Sequence, residues 1–302
     1  MFFNLIFLIL ILLTFNLETL SFLGLGKVFK RNFVLKNNKS DSDGISTYPI
    51  HDIYNCARLS ELAYEFDYVF HDKVNYLSCV NTYNIRCPDF KFIKFIKNKT
   101  NLHCLITRND VEKKVIVVFK GTNRLINWFY NIKIGKVNIN DENYVHKGFY
   151  LQVLDENIVG QIQEVMDEIP EDYDWLFCGH SAGGAHSILT SYILANKFPN
   201  KKIKTFTFAL PRVGNKNFAE SFENLDNIEH YRTTFRNDIF TALPLFRYHH
   251  FGHSLRLYPK KLYCGDYNKL FTYSLFKCNS IFDHHPKMYV REMEKLIPIH
   301  HE

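Results

Sequence analysis

The segment that most constrains the fold is WLFCGHSAGG, residues 175–184, in which a serine lies between two glycines. An apolar run of the kind found in buried strands precedes Ser181, and a helix-like run follows it. A strand can turn directly into a helix only where side chains do not collide, so Gly179 and Gly183 have a steric role. The turn strains the backbone of Ser181 and exposes its hydroxyl at the helix N-terminus, where the next N–H and the helix dipole favour a developing oxyanion. The segment therefore predicts a nucleophilic serine.

Strand and helix patterns alternate around this turn. We expect a helix over 51–66, an antiparallel hairpin formed by HCLITR and KKVIVVFKG, and one long amphipathic helix over Val145–Ile169. Further along the chain we expect the strand DWLFC, a helix over Ala182–Lys197, the strand KTFTFAL, a short helix over Asn217–Asn224, and strands at HYRTTF and Ser254–Tyr258. This alternation predicts an α/β class with a mainly parallel sheet and helices on both faces. Together with the G-x-S-x-G turn, it is typical of the α/β-hydrolase fold.

The length and composition indicate one globular domain with a leader. The chain has 302 residues, of which 46% are hydrophobic and 23% charged. Nine consecutive apolar residues, Leu5–Leu13, are too few for a membrane-spanning helix, which needs about 20. We therefore predict a signal peptide over 1–21, with a membrane anchor as the alternative, then a polar linker over 22–47 and the hydrolase domain over 48–302. The net charge of +6 would favour anionic lipid surfaces.

The cysteines also favour export. There are seven: Cys56, Cys79, Cys87, Cys104, Cys178, Cys264 and Cys278. Three of them cluster over 79–104 and two bracket a loop over 264–278, a distribution that suits disulfides in an oxidising compartment. We expect Cys178 to be buried on a strand and free, which leaves six to pair. Sequons at Asn38 and Asn98 are compatible with secretion.

A nucleophilic serine needs a base and an orienting carboxylate, and in this fold the order along the chain is Ser, Asp, His. Asp238 follows the strand HYRTTF and would project from the carboxyl edge of the sheet, whereas Asp226 precedes that strand and would lie at the opposite edge. The histidines after Asp238 are His249, His250, His253, His284, His285, His300 and His301. The first three form an HHxxH cluster, but no carboxylate stands in a metal-binding pattern with them, so we expect strand-entry residues there.

Over Asp52–Tyr289, the chain resembles the class 3 lipases of the fungal triacylglycerol lipase type. Five ordered motifs carry the resemblance: VVFKGT at 117–122 followed by Asn127-Trp128, HKGF at 146–149, the GHSAG turn, PRVG at 211–214, and Asn237-Asp238-Ile239 with Leu243-Pro244. The resemblance implies an α/β-hydrolase that cleaves carboxylic esters without a metal or organic cofactor.

Residue by residue, the resemblance implies that Ser181 is the nucleophile and Asp238 the acid. It also implies that Thr122 and Ala182 each supply a backbone N–H to an oxyanion hole, which agrees with the need for two donors from separate loops. The family's histidine stands in a D-H pair near the C-terminus, after a disulfide loop. Asp283-His284-His285, which follows Cys264 and Cys278, matches this placement, so His284 is the implied base and His285 the alternative.

Three other polar residues of these motifs have structural interpretations. We expect His180 to pack beside the serine, because the general base must approach from another loop. His146 lies at a helix start and Arg212 in a turn, so we expect both to support the backbone.

The segment Asn123–Ile132 is the predicted lid. Leu125, Trp128, Phe129 and Ile132 share one face of a helix, which alone would indicate core packing. The resemblance, and the position directly after Thr122, favour a lid that uncovers the serine at a lipid surface.

These observations predict a secreted triacylglycerol lipase that works through an acyl-enzyme. Its expected partner is a lipid ester at a lipid–water interface, with contact to a membrane or emulsion surface and no nucleic acid. Phospholipase A1 and a short-chain or feruloyl-type esterase are alternatives within the same class. A catalytically inactive lipase-like binding module is the alternative from another class, because a fold does not guarantee activity.

Overall fold

The computed structural model describes residues 48–65, 87–122, 135–244, 247–259, 261–265 and 280–296, which all belong to one compact unit. The predicted signal peptide and linker, residues 1–47, lie outside these residues, as does the predicted lid. Within the described ranges, no helix has the length and apolarity needed to cross a membrane.

A mixed sheet of eight strands forms the centre of this unit, with the strand order β1-β2-β3-β6-β7-β8-β9-β10. A separate two-stranded ladder pairs β4 with β5. The strands are β1 Lys91–Lys97, β2 His103–Asn109, β3 Lys114–Phe119, β4 Lys136–Asn140, β5 Asn143–His146, β6 Asp174–His180, β7 Ile203–Phe208, β8 Ile228–Phe235, β9 His253–Tyr258 and β10 Lys261–Gly265.

The α-helices are α1 Ile50–Leu62, α2 Lys147–Leu154, α3 Ile158–Glu168, α4 Ala182–Lys197, α5 Lys216–Glu223 and α6 Pro286–Glu294. Short 3-10 turns occur at Asp155–Asn157, Ile239–Ala242 and Phe282–His284. The core consists of two clusters of buried residues. One cluster includes residues of α2, α3 and α4, and the other includes residues of α1 and α6. A mainly parallel sheet with helices on both faces is therefore confirmed.

The parallel part of the sheet brings the carboxyl ends of its strands together. Strands β3, β6, β7, β8 and β9 are parallel neighbours, and β6 is buried from Trp175 to His180. Strands covered on both faces read as continuous apolar runs, as WLFC does. The segments that follow β3, β6 and β8 consequently emerge at one edge of the sheet.

The prediction of one helix over Val145–Ile169 is wrong. Strand β5 ends at His146, and α2 and α3 are separated by the turn Asp155–Asn157. Glu156 and Asn157 both adopt left-handed backbone angles there, with φ of 50° and 55°. The Asp155 and Glu156 carboxylates accept hydrogen bonds from the backbone N–H groups of the loop at 99–100. The apolar spacing continues across the break, so periodicity alone does not reveal it.

The cysteines agree only in part with the expected pairing. Cys178 is a buried, free thiol on β6, as predicted. Cys56 on α1 and Cys104 on β2 are also buried free thiols, so the prediction that the six other cysteines pair is wrong for these two. Burial raises the pKa of both thiols, which keeps them protonated and unreactive. Cys79 and Cys278 lie outside the described residues.

Candidate active site

Ser181 forms the predicted sharp turn between β6 and α4. Its backbone has φ 57° and ψ −124°, a strained combination for a residue with a side chain, and its N–H donates to the Phe208 carbonyl at 2.8 Å. A Cβ on Gly179 would lie 2.4 Å from the backbone of Gly183, and one on Gly183 would lie 2.1 Å from the carbonyl oxygen of Phe119. The two glycines are therefore needed for the close approach of α4 to β3 and β6.

Asp238 and His284 form a buried pair. The Nδ1 of His284 lies 2.9 Å and 2.8 Å from the two carboxylate oxygens of Asp238, and both side chains are at most 2% exposed. The carboxylate also accepts the Phe240 N–H at 3.0 Å and the Tyr289 hydroxyl at 3.0 Å. Hydrogen bonds from several donors offset the cost of burying this charge and hold the imidazole in one orientation.

The structure distinguishes between the two adjacent histidines. His285 is exposed, and its Nδ1 accepts the Lys287 N–H at 3.3 Å, which caps α6. His284 is buried, and within the described part of the chain its Nε2 has no hydrogen-bond partner. The ring of His284 packs against His180, the residue before Ser181, with centroids 4.8 Å apart. His284 therefore presents one unsatisfied ring nitrogen beside the serine turn.

His180 and Tyr64 connect the serine turn to the end of β3. The Tyr64 hydroxyl lies 2.8 Å from Nδ1 of His180, and a Cβ on Gly121 would lie 2.0 Å from the same hydroxyl oxygen. Burial, and then the neighbouring His284, hold the pKa of His180 well below its usual range, so its ring stays neutral. Sequence reasoning did not identify Tyr64, because nothing in the local pattern of 61–66 marks its hydroxyl.

The predicted oxyanion donors lie at the edge of the sheet that carries Ser181. Phe119 at the end of β3 is the register partner of Gly179 on β6, so Thr122 follows at the same edge. Ala182 is the first residue of α4, where a backbone N–H has no acceptor within its own helix. The lid residues Leu125, Trp128, Phe129 and Ile132 lie outside the described residues.

Arg212 fixes the loop that carries Asp238. Its guanidinium donates to the carbonyls of Ala242 at 2.7 Å and Pro244 at 3.0 Å, and its N–H donates to the Leu243 carbonyl at 2.7 Å. His146 caps α2 by accepting the Phe149 N–H at 3.4 Å, and burial lowers its pKa to about 4. These contacts agree with the structural interpretation of both residues.

The HHxxH cluster is spread over backbone-pairing positions. His249 forms an isolated bridge with Gly214, Nε2 of His250 lies 2.6 Å from the Thr241 carbonyl, and His253 begins β9. Within the described residues, His51, Asp52 and Glu112 form a cluster of metal-binding type. The ammonium of Lys114 lies 2.5 Å from Asp52 and 2.7 Å from Glu112, so a side-chain cation already pairs with both carboxylates.

The comparisons with known proteins agree with this geometry. A family model described as lipase (class 3) matches residues 116–248, which include Ser181 and Asp238 and end before His284. A lipase from Rhizopus niveus is 31% identical over 171 residues, which cover 52% of this chain and 42% of the relative. The secreted mono- and diacylglycerol lipase 1 of Fusarium solani is 28% identical over 163 residues, covering 51% of this chain and 47% of the relative. The matched part thus spans less than half the length of either relative.

Among solved structures, lipase II from Rhizopus niveus superposes with a TM-score of 0.64 at 25% identity. The superposition covers 78% of this chain and 92% of that lipase. The likeness extends beyond the segment matched by the family model to most of the chain.

Proposed function

The chain belongs to the class 3 lipase family, and from this premise we propose that it is a serine hydrolase of lipid carboxylic esters. The observation that carries the proposal is the buried Asp238–His284 pair, whose unsatisfied Nε2 lies beside the strained turn of Ser181. Acyl transfer requires an oriented carboxylate, an imidazole with one unpaired ring nitrogen, and a serine on a sharp strand-to-helix turn.

In the proposed mechanism, the Ser181 hydroxyl attacks the ester carbonyl carbon while Nε2 of His284 accepts its proton. The Asp238 carboxylate, hydrogen-bonded at Nδ1, stabilises the imidazolium that forms. The backbone N–H groups of Thr122 and Ala182 stabilise the oxyanion of the tetrahedral intermediate. His284 then returns the proton to the leaving alcohol, and water activated by the same histidine hydrolyses the acyl-enzyme.

The proposed substrate is a triacylglycerol at a lipid–water interface. The name of the Fusarium relative, a mono- and diacylglycerol lipase, supports an acylglycerol substrate. A lid at Asn123–Ile132 would cover the acyl groove, with Trp128 at the interface when the lid opens. Secretion, through the signal peptide over 1–21, is supported by the name of the Fusarium relative.

Substitution of the serine tests the mechanism. Ser181→Ala should lower kcat on p-nitrophenyl esters by on the order of 10⁴ to 10⁶, because the acyl-enzyme cannot form. The matched control is Ser191→Ala, which changes a buried serine of the same helix α4 and should keep wild-type kcat. The Ser191 hydroxyl donates to the Ile188 carbonyl and accepts from the Thr205 hydroxyl, away from Asp238 and His284. A serine-directed phosphonate should label Ser181 in the wild type. Activity that persists in Ser181→Ala would reject the mechanism, and absence of wild-type turnover would favour an inactive binding module.

The substrate is tested with esters of graded chain length, emulsified triglyceride and phosphatidylcholine. Activity on a medium-chain triglyceride should rise sharply once it exceeds its solubility, and Trp128→Ser should reduce that rise while sparing soluble short esters. Smooth saturation through the solubility limit would favour a plain esterase. Preferential release of the sn-1 acyl chain from phosphatidylcholine would favour a phospholipase A1.

A further inference from the structure

A concavity of about 510 Å³ lies on the surface beside the β4–β5 ladder, lined by Lys136, Tyr144, Asn215, Lys216, Arg247 and His249. None of these residues belongs to the serine, acid or histidine of the proposed mechanism. We propose that this concavity binds a phosphate monoester group and that its source is the headgroup of an anionic lipid. It would hold the enzyme on an anionic lipid surface.

Three cationic side chains reach this concavity from three separate segments. Lys136 begins β4, Lys216 begins α5, and Arg247 follows the loop that carries Asp238. The Lys136 ammonium donates to the Arg247 carbonyl and lies 4.5 Å from the centroid of the Tyr248 ring. These contacts hold one cation in place at the wall of the concavity instead of leaving it free in solvent.

The positive charge of the site is not balanced by its own lining. No carboxylate occurs among the described residues that line the concavity. Glu220 pairs with Lys216 at 3.2 Å and offsets part of one of the three charges, whereas the Glu142 carboxylate accepts from Asn217. Burial and then Arg247 lower the pKa of Lys136, as expected where cations are held near each other. A bound anion would relieve this repulsion.

The backbone around the concavity is firmly paired. His249 N–H donates to the Gly214 carbonyl at 2.8 Å, and Gly214 in turn bridges to Val145 of β5. Arg247 adopts a left-handed backbone conformation with φ 59°, which is unfavourable for a residue with a side chain. The surrounding pairing therefore keeps the Arg247 segment in a defined, strained geometry instead of a relaxed loop.

The chemistry of the lining favours phosphate. An arginine fork binds two oxygens of a tetrahedral anion, and two lysines add point charges from other directions, which suits a dianion with three free oxygens. A volume of about 510 Å³ lies within the range of small-molecule sites, roughly 300–1,000 Å³, and exceeds what a bare phosphate ion fills. The extra room fits a headgroup, and the net charge of +6 favours an anionic surface.

The test measures binding without turnover, so its failure is separate from failure of the proposed hydrolysis. Full-length protein carrying Ser181→Ala is co-sedimented with phosphatidylcholine vesicles prepared with and without phosphatidic acid. In the same background, Lys216→Gln/Arg247→Gln removes two charges from the concavity. The matched control Lys97→Gln/Lys202→Gln removes two charges from exposed lysines on β1 and before β7. Inorganic phosphate is titrated in parallel by calorimetry.

We expect phosphatidic acid to increase binding to the vesicles. The concavity variant should lose on the order of tenfold in affinity for vesicles that contain phosphatidic acid, and the control variant should lose less than half of this factor. When the same two double substitutions are made in protein that keeps Ser181, both variants should hydrolyse a soluble short-chain ester at the wild-type rate. Equal losses in the two variants would overturn the proposal in favour of general surface charge. Saturable phosphate binding that is lost in the concavity variant, without a vesicle effect, would overturn the headgroup as the source. Absence of binding in both arms would overturn the site.

Discussion

The buried histidines predict that acid destabilises this protein. His146, His180, His186, His230 and His250 all have a pKa lowered by burial, to about 4 for His146 and about 3 for His186. His186 shows the cause: its ring packs between Phe119 and Phe149, and its Nε2 lies 2.9 Å from the side-chain oxygen of Gln152. A proton on this ring would be buried without a counter-charge, so the folded state keeps it neutral.

The sign and size follow from proton linkage. The unfolded chain takes up a proton on each histidine below its ordinary pKa of about 6.5, whereas the folded protein does not until far lower pH. The contribution of these histidines to stability is therefore fully present above pH 6.5, and it is lost as the pH falls toward their pKa values in the folded protein. Between pH 7 and pH 5, His146 and His186 should each cost about 2 kcal/mol, and the other three act in the same direction. The total is a large fraction of a typical 5–15 kcal/mol free energy of unfolding.

Urea unfolding at pH 7 and pH 5 measures this loss. His186→Gln removes one titrating group, so the variant should lose about 2 kcal/mol less than the wild type between the two pH values. His51→Gln, which changes an exposed histidine, is the surface control. Equal losses in wild type and His186→Gln, or an unfolding free energy that does not change with pH, would refute the reasoning.

Three further predictions concern the site. Tyr289→Phe removes a hydroxyl that donates to Asp238 and accepts the Phe235 N–H. Urea unfolding should show a free energy of unfolding lower by about 2–4 kcal/mol. Ester kinetics should show that kcat falls more than KM rises. Gly183→Ala should destabilise by about 3 kcal/mol or more, because its Cβ meets a carbonyl at 2.1 Å. At Gly184 the closest atoms are 3.1 Å away, so urea unfolding should show a smaller loss for Gly184→Ala than for Gly183→Ala. His284→Ala should abolish activity as Ser181→Ala does, and His285→Ala should keep most of it; the reverse ranking would place the base at His285.

The parts of the fold that could be predicted from the sequence are those fixed by local physics. The helix Ala182–Lys197 has the predicted bounds, since the glycine turn begins it and Pro199 follows its end. The hairpin of β2 and β3 is confirmed because two apolar runs flank a turn pair. The placement of Asp238 after β8 follows from the same logic, because a parallel strand delivers its next residue to the carboxyl edge.

Other features depend on contacts that sequence patterns do not encode. The break at Asp155–Asn157 is held by side chains that reach the loop at 99–100, more than fifty residues away. The hydroxyls of Tyr64 and Tyr289 meet His180 and Asp238 only once α1 and α6 have packed. Cys56 and Cys104 are among the six cysteines that the sequence leaves to pair, but the fold buries each one as a free thiol.

The choice between His284 and His285 shows how the backbone decides a side chain's role. Ser280 pairs with Asp238 as a parallel bridge, its N–H donates to the Asn237 carbonyl at 2.9 Å, and its carbonyl accepts the Ile239 N–H at 3.2 Å. The Asp283 carboxylate then accepts the Asn237 N–H at 3.2 Å, so the acidic member of the D-H pair supports the loop instead of orienting the imidazole. Because both ends of the segment 280–283 are hydrogen-bonded to the loop that carries Asp238, the next residue, His284, is the one that reaches Asp238. The proposed base and acid are thus fixed to each other by backbone pairing before any substrate binds, which is the preorganisation that acyl transfer needs.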